Sequence, residues 1–187
     1  MKKRNEILKN RINVYLKRKQ LLQDDEHKKL EKVFLAKSRK NFTVANLLFR
    51  ISEQEEKRKL LSLASDFEMY DWAIIVSYYA MYASALSALA KLGFKSKSHA
   101  ATITVLEYYY VNEKSSDGKS LEQKDLHKLV KAYTISEQLI TKLIQTKTKR
   151  ETAQYDATSA ITKENAKTAL DDAEEFITKI EEILSKS

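Results

Sequence analysis

Apolar residues recur along this chain at helical spacing almost from end to end. In residues 3–22, Leu8, Ile12, Tyr15 and Leu16 share one side, with Lys9, Arg11, Lys17, Arg18 and Lys19 around them, which predicts an amphipathic helix. Gln23-Asp24-Asp25 predicts a break, with Asp24 or Asp25 as the N-cap of the next helix. Leu30, Val33 and Phe34 then share a face. A further run from about Ser38 to Leu63 turns Phe42, Ala45, Leu48, Phe49 and Leu60 inward. Ser65-Asp66-Phe67-Glu68 has the form of a capping box, predicting a helix of about 26 residues that Gly93 closes.

That helix holds the longest uncharged stretch in the protein, the eighteen residues Ala73 to Ala90. Eighteen is the lower limit for a membrane span, and three Tyr and three Ser interrupt it. The other predicted helices are amphipathic, so this one reads as a central helix surrounded by the rest, with no membrane role. Ala85→Arg is then expected to unfold the protein.

A helix from about Lys97 to Glu113 follows, with Ile103, Val105, Leu106 and Tyr109 or Tyr110 inward. The turn Lys114–Lys119 contains Gly118. Ser120-Leu121-Glu122-Gln123 reads as a second capping box, opening a long helix with Leu126, Leu129, Val130, Tyr133, Ile140, Leu143 and Ile144 along one stripe. The last helix is the cleanest. Thr162 caps it, Ala166, Ala169, Leu170, Ala173, Phe176, Ile177, Ile180 and Leu184 form its seam, and Asp171, Asp172, Glu174, Glu175, Glu181 and Glu182 lie opposite.

Composition sharpens this picture. The chain has no Pro, two Gly and no Cys. So few chain breakers fit an all-α fold, and the missing Cys excludes disulfides, thiol nucleophiles and Cys-ligated metals. The charge is uneven: net +7 over residues 1–20, +3 over 21–60 and −2 beyond. The expected organisation is a basic helical extension at 1–37 and an up-and-down bundle at 38–187, about five long helices in all besides the extension. Lys9, Arg11, Lys17, Arg18 and Lys19 are candidates for binding a polyanion. The extension either docks through Leu8, Ile12, Tyr15 and Leu16, on the acidic face of the last helix or on a dimer mate, or it reaches an external polyanion. The apolar stripe favours docking, with nonspecific nucleic-acid binding secondary.

Candidate chemistry is sparse. There is no phosphate loop, nucleophile elbow or HExxH. His27, His99 and His127 have no metal-ligand spacing, and neither a metal nor another cofactor is expected. His27 with Glu31, and His127 among Lys124, Asp125, Lys128 and Lys131, read as solvated helix faces. His99 stands in the first turn of its helix, where the dipole favours neutral imidazole. It reads as a structural His packed on the Tyr-rich helix, or as part of a ligand site. Tyr78 and Tyr82, four apart, share a face, and Tyr79 lies on another. These tyrosines read as core aromatics or as a stacking platform.

Four features together resemble one family. They are Ser77-Tyr78-Tyr79-Ala80-Met81-Tyr82 in a small-residue helix ending at Gly93, His99 in KSKSH, Arg150-Glu151-Thr152-Ala153-Gln154-Tyr155 after the long helix, and Ala166, Ala173, Phe176 and Ile177 in the final seam. The stretch from Ser38 to Leu184 resembles the HEPN domain family (higher eukaryotes and prokaryotes nucleotide-binding), above all its small stand-alone prokaryotic members. The resemblance implies a helical bundle, often a homodimer, that acts with nucleotides or RNA and is frequently encoded beside a small nucleotidyltransferase in toxin–antitoxin pairs. Tyr78, Tyr79, Tyr82, His99 and Arg150 are its candidate ligand-binding residues. RNA-cleaving members carry an Arg followed four to six residues later by a His. Arg150 fits the Arg, but Tyr155 stands five residues on and no His follows. The expectation is a cytoplasmic, non-catalytic domain binding nucleotide, RNA or a nucleotidyltransferase partner. The alternatives are a ribonuclease toxin using Arg150 and Tyr155, or a helical interaction module with no nucleotide role.

Overall fold

A computed structural model describes residues 2–111, 121–132, 134 and 162–185. Their helices are α1 (Lys2–Lys17), α2 (Glu31–Glu53), α3 (Glu55–Leu60), α4 (Tyr70–Lys91), α5 (His99–Leu106), α6 (residues 123–132) and α7 (Lys163–Ser185). Two three-residue strands, β1 (Leu21–Gln23) and β2 (Phe94–Ser96), pair antiparallel. The fold is all-α, as the sequence predicts.

The uncharged helix α4 is the centre. Fifteen of its residues are buried, with Ala73, Ala80, Ala85, Ala88, Leu89 and Ala90 fully so. By length and composition it is the one described helix able to cross a membrane, but α2, α5 and α7 cover most of it. Its small side chains let neighbours come close. Ser38 on α2 donates to the Ala80 carbonyl at 2.8 Å, and Ser87 donates to that of Glu31 at 2.7 Å. These contacts make α2 antiparallel to α4. Lys91 donates to the Leu184 carbonyl at 2.8 Å, so α7 runs parallel to α4. The expected α7 seam is realised: Ala166, Leu170, Ala173, Phe176, Ile177, Ile180 and Leu184 are buried, joined by Ile183, with Ala169 half-buried. Thr162 caps α7 reciprocally with Asn165, which takes the position Glu holds in the usual box.

Other local expectations are corrected. Residues 31–53 form one continuous helix, because Ser38 satisfies its hydroxyl on α4 instead of breaking the chain. Leu60, expected inward, is exposed at the end of the separate short helix α3. The Ser65–Glu68 box does not form, and α4 begins at Tyr70 with no side-chain cap. The Met69 N–H donates to Ser52 Oγ at 2.7 Å, so a neighbouring helix meets the need that a local cap would have met. Ser120 lies outside the described residues. At that helix start Asp125, buried, accepts from the Glu122 N–H at 2.8 Å. The turn at 114–119 and the stripe positions Tyr133, Ile140, Leu143 and Ile144 also lie outside the described residues.

α1 stops at Lys17, short of residue 22. The Lys19 N–H donates to Leu16 and the Gln20 N–H to Tyr15, both at 3.0 Å, with Lys19 left-handed at φ 56°. This pattern ends a helix with Gly in most proteins; here it is Lys. The chain then enters β1, whose Leu21 is fully buried. Asp24 caps the short 3-10 turn Asp25–Leu30 by accepting from the Glu26 N–H at 2.9 Å.

Gly93 ends α4 with φ +81°. The segment Gly93–His99, with Phe94–Ser96 extended as β2, reaches up to about 20 Å at ~3.3 Å per residue, the length α4 spends on Tyr78–Lys91 at ~1.5 Å per residue. β2 is this return path. It lets α5 start again beside Tyr78 and run parallel to α4, where an up-and-down bundle would reverse it. Residues Glu107–Val111 continue α5 as a π-helical turn, and the Tyr110 hydroxyl donates to the Ala88 carbonyl at 2.7 Å. Burial holds that phenol well above its ordinary pKa.

Candidate functional site

The site grows from that return. Ser98 caps α5, accepting from the Ala101 N–H at 3.5 Å, and its carbonyl receives Thr102 Oγ1 at 3.0 Å. Ser96 Oγ donates to the same carbonyl at 2.9 Å and accepts from the Ser98 N–H at 3.2 Å. These bonds fix His99 at the first position of α5, with Thr102 one turn on along the same face.

Opposite stands the tyrosine segment of α4. Tyr78, only 2% exposed, shares a hydrogen bond between its hydroxyl and His99 Nδ1. Tyr82 packs on the His99 ring at 4.2 Å between centroids, and its hydroxyl meets Thr102 Oγ1 at 3.3 Å. The Tyr78 and Tyr82 rings stack at 6.0 Å. Burial raises the Tyr82 phenol above its ordinary pKa, with the Thr102 hydrogen bond working against that shift. Tyr79 lies at the edge, 5.2 Å from Tyr78 and 42% exposed. Four of the five candidate ligand residues therefore meet on two adjacent helices. The fifth, Arg150, and the paired candidate Tyr155 lie outside the described residues.

Tyr78 and Thr102 are buried, with their hydroxyls bonded inside the cluster, so the surface it presents is the half-buried rings of Tyr82 and His99 with exposed Tyr79 at the edge. It can stack on a planar ligand and exchange hydrogen bonds with it. Thr102 is the member that sequence reasoning missed. Its signal was present, since it stands three residues after His99 and four after the N-cap Ser98.

The remaining candidates sit elsewhere. His27 Nδ1 is 3.2 Å from the Gly93 carbonyl, a tie across the β1–β2 end, and His127 is exposed on α6. Among the described residues no group of three acidic or His side chains could hold a metal. Lys9, Arg11, Lys17, Arg18 and Lys19 are all exposed. They surround a helix whose other side is docked: Leu8 and Ile12 are buried, and Tyr15 and Leu16 pack on the core. The docking surface is mainly α5 and the π-helical turn rather than the acidic face of α7. Arg4 reaches Glu107, while carboxylates of α7 already hold Arg39 at Glu181 and Lys128 at Asp172 and Glu175.

The family model "HEPN domain" matches residues 45–183. The match contains the whole tyrosine–histidine cluster and leaves α1, β1 and the first turns of α2 outside. No curated protein matches the chain.

Proposed function

Since this chain belongs to the HEPN domain family, we propose that it is a non-catalytic binding domain that takes a nucleotide or RNA at the Tyr78–Tyr82–His99–Thr102 cluster. In this reading it works in the cytoplasm as a homodimer beside a nucleotidyltransferase partner, in a toxin–antitoxin-like setting. The observation that carries the reading is the meeting of His99 with two tyrosines of α4 inside the matched region. Aromatic faces bind bases by stacking, and the hydroxyls and imidazole supply polar contacts at their edges.

The non-catalytic part rests on sequence. No Arg in the chain is followed four to six residues later by a His, so the proton-accepting partner that resemblance to RNA-cleaving members would require is missing. A phenol such as Tyr155, with an ordinary pKa near 10, is a weak base at neutral pH.

Titrating the purified protein with AMP and with a labelled oligoribonucleotide tests the reading. Tyr82→Ala and His99→Gln are each expected to weaken binding about tenfold, the scale of one base stack. Binding that ignores both changes rejects the site. Incubation with total RNA is expected to leave it intact; cleavage that disappears in Arg150→Ala would establish a ribonuclease instead. Light scattering reads the dimer, and co-purification with a nucleotidyltransferase encoded alongside reads the partner.

A further inference from the structure

α1 runs antiparallel to α5, because Arg4 near its start pairs with Glu107 and the Gln20 carbonyl just past its end accepts from the Lys97 N–H at 2.8 Å. The end of α1 therefore lies at the start of α5, where His99 is. β1 and β2 bind the two segments, with Leu21 opposite Ser96 and Leu22 opposite Lys95. One corner of the protein thus collects Lys17, Arg18, Lys19, Lys95 and Lys97, all exposed. The sequence shows them as two separate runs.

Three observations mark this corner. Its cations form no ion pair among the described residues, whereas Lys28, Lys29 and Lys59 each hold a carboxylate. The nearest acid on α1, Glu6, is about three helical turns from Lys17, and Asp24 and Asp25 lie past the far end of the strands. Lys19 occupies a left-handed position at φ 56°, where Gly is the less costly residue.

We propose that this corner is a phosphate-backbone docking surface that leads a single-stranded nucleic acid to the Tyr82–His99 cluster. The proposal rests on the binding reading above and adds an entry surface outside the family-matched region. A nucleic acid fits better than an acidic protein. Residues 17–20 and 95–98 are all polar, and exposed Val14, one turn before Arg18, is a single small side chain, whereas a protein interface needs an apolar centre. Phosphates need only unpaired cations on a rigid support, and docked α1 provides one.

Fluorescence anisotropy of the full chain with a fluorescein-labelled oligouridylate of roughly sixteen nucleotides tests this. The triple change Arg18→Gln, Lys19→Gln, Lys97→Gln is expected to weaken binding about tenfold and to lower the log–log salt slope by about 2. The equally charge-changing control Lys28→Gln, Lys29→Gln, Lys59→Gln is expected to bind as wild type. Lys19→Gly separates binding from folding: it keeps or raises the melting temperature while lowering the salt slope by about 0.7. Equal losses in corner and control triples overturn the corner. Unchanged binding in the corner triple, with loss in His99→Gln, overturns the corner and leaves the cluster reading standing. Failure of the wild type to bind the oligouridylate, while AMP still titrates the cluster, does the same. Equal competition by polyglutamate overturns the nucleic-acid assignment in favour of an acidic polypeptide.

Discussion

Tyr78 and His99, 21 residues apart, are joined hydroxyl to Nδ1 across the contact between α4 and α5. The bond is placed by a backbone detail, the extended return through β2 that brings the start of α5 level with the middle of α4. Tyr78→Phe keeps the ring and removes only the hydroxyl. It is expected to cost about 1–2 kcal/mol, a fall of roughly 2–8 °C in melting temperature. Urea unfolding with matched slopes measures it, and an unchanged midpoint would show that the pair contributes nothing to the fold.

Gly93→Ala strikes the same return. At φ +81° an added Cβ would also sit 3.2 Å from the Asp24 carbonyl oxygen, and backbone has little room to give. A loss of about 1–3 kcal/mol is expected. Because the Asp24 N–H donates to the Gly93 carbonyl at 2.9 Å, hydrogen exchange at Asp24 should accelerate before the global transition. Wild-type exchange at that amide would refute the account.

Ala85→Arg places a cation at a position of α4 that is fully buried. Small neighbours leave the guanidinium no path to water, and an unpaired buried charge costs more than about 4 kcal/mol. Circular dichroism is expected to show loss of the cooperative transition. A folded variant with near-native stability would mean that α4 is not the packed centre.

Tyr70 and Glu53 give the stability a pH signature at both ends. Burial, then the hydrogen bond to the Glu53 carboxylate, pushes the Tyr70 phenol up to about 12. A raised native value means stability complete below the unfolded value of 10.0 and lost between there and about 12. For Glu53, burial acts to raise the carboxyl, but hydrogen bonds from Lys163 and Tyr70 and the Arg58 charge outweigh it and hold the group below its ordinary 4.5. That contribution is complete above 4.5 and drains as pH falls through the lower native value. Urea midpoints against pH should therefore fall less steeply in Tyr70→Phe on the alkaline side and in Glu53→Gln on the acid side. Slopes identical to wild type would dismiss the pair.

Where sequence reading succeeds here, the signal is one-dimensional. The seam of α7 is a periodicity, the run of α4 is an unbroken absence of charge, and Gly93 is a residue whose conformational freedom the turn requires. Where it fails, a distant group has replaced a local one. Ser65 carries the correct capping residues, but Ser52 satisfies the start of α4 from another helix. Leu21 and Leu22 continue the helical apolar pattern of α1, yet Lys19 turns the chain into a strand that only pairing with β2 supports. The tyrosine–histidine cluster is half visible. The spacing of Tyr78 and Tyr82 and the packing of His99 on their helix are legible in the sequence, whereas the place of Thr102 depends on α5 running parallel to α4, which no periodicity encodes.

The pairing of Leu21 with Ser96 also sets an order of events during synthesis. The partner of β1 emerges about 75 residues after it. At ~5–20 residues per second, α1 waits roughly 4–15 seconds for the strand and the α5 surface that receive it. Throughout that interval Leu8 and Ile12 lack the α5 surface that covers them in the finished fold, and Lys9 and Arg11 are the charged neighbours beside them. Lys17, Arg18 and Lys19 are thus made well before Lys95 and Lys97, and the corner they share is complete only once β2 has emerged.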